Sequence, residues 1–244
     1  MSARARGIFI TGTDTGVGKT VVGAALALAL RQRGMRVGVM KPVESGCRRR
    51  DGGLIPEDAL LLRAAAGDEV PLASVNLHAL EAPLAPALAA EIEGVAISME
   101  AIVGAYQGLA EAHDVVLVEG AGGLLAPLWK ELRMADLAVA LGLEALVVAR
   151  NALGAINHAD LTVRAARAAS LAVVGVVLNN PSPSLGPGPR TNAHSLRRWV
   201  RAPFLGELPH VPGLDFESLR RAAEASLDLG ALLRSQAARL DRRR

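Results

Sequence analysis

Residues 7–33, GIFITGTDTGVGKTVVGAALALALRQR, pass from a short apolar run through a glycine-bearing loop into an alanine- and leucine-rich segment. No other feature restricts the fold as much. The apolar run reads as a strand, and residues 20–33 read as a helix closed by Gly34, which takes left-handed cap backbone without a Cβ penalty. A strand that feeds at once into a helix needs a right-handed crossover to a parallel neighbour, with helices laid over the sheet faces. The rest of the chain repeats that unit. RVGVMKPV (36–43), VVLVE (115–119), ALVVA (145–149), VVGVVLN (173–179) and FLGELP (204–209) are further short, nearly all-apolar runs, and 98–112, 155–169 and 216–235 are further helix candidates. Aromatic residues make up only 2% of a chain that is 51% hydrophobic, so Ala, Leu and Val must fill the core, as where small-residue helices cover a sheet. The expectation is an α/β fold with a doubly wound, mainly parallel sheet flanked by helices. A single domain over 1–244 is expected, since no low-complexity linker divides the chain and no solenoid-period repeat is present.

Open sheets of this kind bind ligands outside the carboxyl ends of their strands. Residues 11–20, 41–46, 119–123, 150–154 and 179–181 are therefore expected to line one edge. PSPSLGPGP (181–189) reads as a loop, and 236–244 as a flexible basic tail.

Composition excludes several function classes. The single cysteine, Cys47, rules out an internal disulfide and any cysteine-rich zinc or iron–sulfur site, and suits a reducing compartment; a cytoplasmic location is expected. Cys47 itself reads as an ordinary loop thiol, although three arginines follow it. The apolar run behind MSARAR is too short for a signal-peptide core, and Asp136 and Glu144 interrupt the most apolar later region, so no membrane span is expected. The net charge is only +3, and the dense basic clusters, CRRRD and LDRRR, lack interleaved aromatics, so neither reads as a nucleic-acid surface. His78, His113, His158, His194 and His210 show no metal-ligand spacing. Only Lys19, Lys41 and Lys130 are lysines among 27 basic residues. Where arginine is the default cation, a retained lysine points to a site that needs a compact ammonium.

Two of the three lysines lie in motifs. A standard phosphate loop, G-x-x-x-x-G-K-[ST], would need glycine at position 13, which is Thr13; the glycine falls at Gly12, so the loop is one residue longer. Its physics survives. Gly16 and Gly18 let backbone N–H groups approach a polyphosphate, the next helix offers its positive end, Lys19 reaches the terminal phosphates and Thr20 offers a hydroxyl to Mg²⁺. The stretch resembles the phosphate loop of P-loop NTPase folds, with a tight glycine turn before a helix as the alternative. Glu119, at the end of an apolar strand, stands where a Walker B acid belongs, or else caps a turn; Gly120, Gly122 and Gly123 after it admit a substrate close to the backbone. Asp58 in PEDALLLRAA is either a helix-start charge or a second metal ligand. Lys41 leaves a buried strand at the ligand edge, as a site residue or as a snorkelling surface residue, and Ser45-Gly46 gives a hydroxyl beside a turn.

GTDTGVGKT, KPVESG, VEGAGG, LGAINHADLT and LNNP occur in the order and spacing of the dethiobiotin synthetases, and from about residue 7 to about residue 210 the chain resembles that family. The resemblance implies an ATP- and Mg²⁺-dependent cyclo-ligase of biotin synthesis. It carboxylates 7,8-diaminononanoate with carbon dioxide, phosphorylates the carbamate and closes the ureido ring. It also implies roles. Lys19 and Lys41 would be catalytic, and Thr20, Asp58 and Glu119 would hold the metal. Thr13, Lys41, Ser45, Gly122 and Asn157 would contact the substrate. ATP would lie on Thr15, Gly16, Val17, Gly18, Lys19, Thr20, Val21, Asp58, Glu119, Asn179, Asn180, Leu208, Pro209 and His210. The family's active form is a homodimer, with LGAINH reaching the neighbour's substrate. Members often carry Asn-Asp where this chain has Asn179-Asn180, and no role follows for the arginines at 48–50. A ParA- or MinD-type ATPase switch is the alternative, but its signature lysine, five residues before Lys19, is Asp14 here. A cobyrinate-type amidotransferase would need a glutaminase domain with its own nucleophilic cysteine.

Overall fold

A computed structural model describes residues 6–67, 69–183 and 189–234. Six strands form the central sheet: β1 (Arg6–Gly12), β2 (Val37–Met40), β3 (Val115–Gly123), β4 (Glu144–Arg150), β5 (Val173–Asn179) and β6 (Phe204–Leu208). Their order is β6-β5-β4-β1-β3-β2, and every pairing is parallel. β1 is central because the chain first winds outward to β2 and β3 on one side, then crosses to β4, β5 and β6 on the other. The expected α/β doubly wound sheet is present.

Alternation along β1 shows why both faces need helices. Ile8 and Ile10 pack with α1 (Lys19–Gln32), α2 (Glu57–Ala66) and the helix Phe216–Ser226, while Phe9 packs with helices Pro86–Glu93, Met99–Ala112 and Met134–Ala140 on the opposite face. Helices Ala155–Ala168 and Pro189–Trp199 cover the β4–β5 end of that second face. α1 begins at Gly18, whose φ of +94° is left-handed, and ends before Gly34 at φ +78°. It runs one residue ahead of the expected span at both ends, within ordinary fraying. Among the described residues no helix is long and apolar enough to cross a membrane.

Four boundaries differ from the sequence reading. The run 36–43 is not one strand: β2 stops at Met40, and Val43–Ser45 pairs instead with His78–Leu80. Pro42 has no N–H for the ladder. The backbone there is taken up by the 75–78 segment, through Lys41 N on Val75 O (2.8 Å) and His78 N on Pro42 O (3.1 Å). β3 runs past Glu119 through the glycines to Gly123, which pairs with Gly12 after a register shift in β1. The terminal helix expected over 216–235 breaks at 227–228. Leu227 bridges Gly206, Asp228 N donates to Leu205 O at 2.7 Å, and the Asp228 carboxylate accepts from Ala231 N to start a new turn. Burial of Leu227, Leu229 and Leu232 outweighs helix continuity there. In the 181–189 loop, Pro189 already opens a helix; residues 184–188 and the 236–244 tail lie outside the described residues.

The arginines at 48–50 form a short hairpin with Gly53–Ile55. Arg48 pairs with Glu57 and Arg49 with Glu81, all exposed, so the cluster is solvated and balanced by acids.

Gly206 has φ +135°, and a Cβ there would lie 2.0 Å from the backbone oxygen of Ser226. Gly206→Ala should therefore lower stability by about 3 kcal/mol in urea unfolding. A variant that unfolds at the wild-type midpoint would contradict the described return of the chain to the sheet edge.

Candidate functional site

All five stretches expected at one edge lie at the carboxyl ends of parallel strands, beginning near Gly12, after Met40, in the 119–123 end of β3, and at Arg150 and Asn179. The phosphate loop folds tightly over its first glycine. A Cβ on Gly12 would meet Asp14 O at 2.6 Å and a Val17 methyl at 2.9 Å, which is why the displaced glycine is needed. Thr13 N donates to Val148 O at 2.9 Å and anchors the start of the loop on β4. The Asp14 side chain accepts from Thr15 N at 2.7 Å, and Lys19 Nζ lies 3.3 Å from Asp14 O.

The centre of the site is a buried ammonium. Lys41 is 3% exposed, and its Nζ donates to Glu119 Oε1 at 2.5 Å, to Asp58 Oδ2 at 3.0 Å and to Gly120 O at 3.4 Å. Thr20 Oγ1 donates to the same Glu119 oxygen at 3.0 Å. Sheet register explains the main pair: Met40 is the partner of Val118 across β2 and β3, so the next residues, Lys41 and Glu119, leave that pairing side by side. Asp58 comes from the first turn of α2, so it is a helix-start charge, and its carboxylate also turns to the Lys41 ammonium. Lys41 is buried among acids and is not a snorkelling surface residue, and Glu119 lies at the same strand-end edge.

Burial disfavours the charge on Lys41, Glu119 and Lys19, and the opposite charges around them oppose it. For Lys41, desolvation is outweighed by the charges and hydrogen bonds of Glu119 and Asp58, and its pKa rises. Burial pushes the Glu119 carboxyl up against the pull of Lys41. Burial holds Lys19 below the ordinary lysine value of 10.5, with Glu119 acting the other way and Lys41 adding to the depression. We take the Lys41–Glu119 pair as ionised, because Lys41 has two carboxylates and a carbonyl to hold its proton. Two lysines and two carboxylates then sum to no net charge.

Glu44, within the KPVESG stretch, was missed as a structural residue. It is buried, and its two oxygens accept from Asp58 N and Ala59 N, both at 3.0 Å. α2 starts behind Pro56, whose side chain offers no cap, so Glu44 supplies the cap from another strand and thereby aims Asp58. The signal was legible: a proline before a helix start leaves N–H groups that need an outside acceptor. Burial raises the Glu44 pKa, with the two backbone N–H groups opposing it. Cys47 lies beneath, its thiol directed at Glu44 O and pushed up to about 11 by burial. The thiol expected to be ordinary is thus a buried one, and burial, not the arginines after it, sets its acidity.

The remaining residues form a second zone. Asn179 is buried, and its Nδ2 donates to Val17 O at 2.9 Å; Arg150 Nη2 donates to Gly16 O at 2.8 Å. Asn180 is engaged inside the protein: its amide contacts Asn151, Glu207 and Leu208 O at 2.9, 2.9 and 3.2 Å. Leu208 is core, Pro209 exposed and His210 half-buried, at the exit of β6 beside Asn179 and Asn180. Val17 is buried and Val21 packs against the same core. Thr15 and Gly122 are neighbours, since a Cβ on Gly122 (φ +64°) would lie 3.6 Å from the Thr15 hydroxyl. Ser45 and Thr13 are half-buried at the same edge. Asn157 is exposed on the helix Ala155–Ala168 and makes no hydrogen bond with the lysine cluster.

The donors fit a hard divalent cation. Glu119 Oε2 is buried without a hydrogen-bond partner among the described residues, next to the Thr20 hydroxyl and the Asp58 carboxylate. Oxygen donors of this kind, completed by phosphate and water, are what Mg²⁺ takes. Among the described residues no group of three or more His, Cys, Asp and Glu gathers, so Thr20, phosphate and water would complete the shell of a cation held here.

Comparison with known proteins follows the same lines. A family model, AAA_26, described as an AAA domain, matches residues 6–218. The ATP-dependent dethiobiotin synthetase BioD of Anaeromyxobacter dehalogenans (strain 2CP-1) is 45% identical over 226 residues, 93% of this chain and 98% of that protein. The protein of the same name from Thermodesulfovibrio yellowstonii is 38% identical over 235 residues, again 93% of this chain and 98% of that protein. Among solved structures, the septum site-determining protein MinD with Mg-ADP from Pyrococcus horikoshii superposes with a TM-score of 0.56 at 19% identity, covering 89% of this chain and 86% of that one. A ParA family ATPase from Chlorobium tepidum gives 0.52 at 13% identity, over 94% and 92%. At such identities the structures share the fold alone.

Removing the Glu44 carboxylate leaves two α2 N–H groups without an acceptor, so Glu44→Ala should cost about 3 kcal/mol of stability. Glu44→Gln, which keeps one acceptor, should lose less. Chemical denaturation of both variants measures it; equal stability to wild type would remove Glu44 from this role.

Proposed function

The chain belongs to the ATP-dependent dethiobiotin synthetases, and from that premise we propose how its own residues carry out the ligation. The observation that carries the proposal is the Lys41 ammonium set between Glu119 and Asp58, beside Thr20 and Lys19, at the mouth of the phosphate loop.

One amine of 7,8-diaminononanoate attacks carbon dioxide, forming an N–C bond and releasing a proton. A carbamate oxygen then attacks the γ-phosphorus of ATP, and ADP leaves. The second amine attacks the carbamoyl carbon, the C–O bond to phosphate breaks and the ureido ring closes. Two of these steps gather negative charge, at the carbamate and at the transferring phosphoryl group. Fixed ammonium groups stabilise such charge without reorganising at the moment of reaction. Lys41 faces the carbamate and Lys19 the phosphates. Thr20, Asp58 and Glu119 would hold Mg²⁺, which when bound supplies charge neutralisation and alignment of the phosphate oxygens. Thr13, Ser45 and Gly122 border the substrate. The nucleotide runs along Thr15 to Val21 toward Asn179, Leu208, Pro209 and His210, with Asn180 ordering that corner through its buried amide.

The same reading includes a homodimer. Leu153 is 93% exposed and Leu161 57% exposed, and they flank Asn157 at spacings of four residues, an apolar strip that a second subunit would cover while Asn157 reaches that subunit's substrate. We place the enzyme in the cytoplasm as one domain, acting on small molecules without a nucleic-acid or membrane partner; the lone, buried Cys47 suits that compartment.

Lys41→Ala should lower kcat by about 10³-fold in an assay of phosphate release with ATP, Mg²⁺, bicarbonate and 7,8-diaminononanoate. Wild-type turnover in this variant would refute the role given to Lys41. Lys19 gives a pH signature. Its charged form is lost as pH rises through a value below 10.5, so kcat/KM for ATP should fall on an alkaline limb with its midpoint below 10.5. A profile flat through that pH would contradict a phosphate-binding Lys19.

A further inference from the structure

We propose that Arg150 is a positioning residue for the nucleotide, holding the phosphate loop in its binding shape before ATP arrives; the assignment rests on the ATP reading above. Arg150 closes β4 and Asn179 closes β5, and the two are register partners. Arg150 Nη2 donates to Gly16 O at 2.8 Å and Asn179 Nδ2 to Val17 O at 2.9 Å. Two consecutive loop carbonyls are thus drawn toward the same pair of strand ends. In a trans peptide the carbonyl and the following N–H point in opposite directions, and among the described residues no peptide bond is cis. Pinning the Gly16 and Val17 carbonyls therefore turns the N–H groups of Val17 and Gly18 to the other side of the loop, as an anion-binding nest requires.

The loop needs such a restraint. Gly16 and Gly18 sit at φ +70° and +94°, and glycines left unpinned explore many conformations that a bound phosphate would have to exclude. Gly18 cannot gain rigidity from a side chain, because a Cβ there would lie 2.0 Å from Asn179 Nδ2. Arg150 is exposed, and among the described residues its guanidinium makes no ion pair; the one hydrogen bond of its side chain is to the loop. A guanidinium at the surface that is committed to a backbone carbonyl, with no carboxylate to hold it, is placed for the loop and not for charge balance. The sheet order adds a reason for its place. β4 lies between β1, which carries the loop, and β5 and β6, whose ends carry Asn179 and residues 208–210. A nucleotide joining those two regions passes the end of β4.

The test compares wild type, Arg150→Ala and Arg150→Lys by calorimetry with Mg²⁺ and ATP, by steady-state kinetics and by amide hydrogen exchange. Arg150→Ala should raise Kd and KM for ATP about tenfold while kcat and KM for the diamine stay within about twofold. Amides of residues 15–18 should exchange faster in the nucleotide-free variant and regain wild-type protection at saturating ATP. Arg150→Lys, which keeps the charge but not the planar fork, should recover part of the affinity. An unchanged KM for ATP in Arg150→Ala, a loss confined to kcat, or unchanged exchange in the loop would each overturn the assignment. If wild type binds ATP and the variant binds it equally well, Arg150 alone is misassigned. If wild type binds no ATP, the nucleotide reading falls and the assignment with it.

Discussion

The ammonium of Lys41, buried between Glu119 and Asp58, is the interaction on which the rest of the site depends. Glu119 does not sit easily without it. Glu119 is 1% exposed, and an unpaired carboxylate at that depth would be forced to take a proton. With Lys41 in place the carboxylate stays charged, Thr20 has an ionised acceptor, and a hard cation has an oxygen, Glu119 Oε2, already stripped of protein partners.

Backbone geometry delivers that lysine. β2 has to end at Met40, because Pro42 cannot bond in a ladder, and the chain is then caught by the 75–78 segment instead of by β3. Parallel register puts Glu119 in the next row of β3, and Glu44, three residues past Lys41, caps α2 so that Asp58 faces back. One short stretch, KPVE, therefore supplies the central charge and also aims one of its two partners. At the other end of the sheet, buried amides do comparable work: Asn151, Asn180 and Asn192 bond to one another and to Glu207, tying the exits of β4, β5 and β6 together.

The parts of the molecule that sequence reading reached are those governed by local rules. The apolar runs at 7–11, 115–119, 145–149, 173–179 and 204–209 are strands, and the glycine-to-lysine loop opens a helix, because periodicity and turn chemistry act within a few residues. The reading failed where distant groups compete with local preference. Residues 216–235 look helical throughout, yet Leu227 and Asp228 leave the helix because β6 offers a bridge and a buried surface. Glu44 and Arg150 were passed over as functional residues since their partners, α2 and the phosphate loop, lie 14 and 134 residues away along the chain.

Taken alone, the amino-acid order settled the fold class, the phosphate loop and the identity of the charged residues, because strand burial, glycine conformation and side-chain chemistry are set by each residue and its near neighbours. Only the tertiary structure decided that Lys41 meets Glu119 and Asp58 together, that Glu44 caps a helix from another strand, and that Asn180 faces inward. Those outcomes depend on strand register and on desolvation, which exist only once the sheet has closed over them.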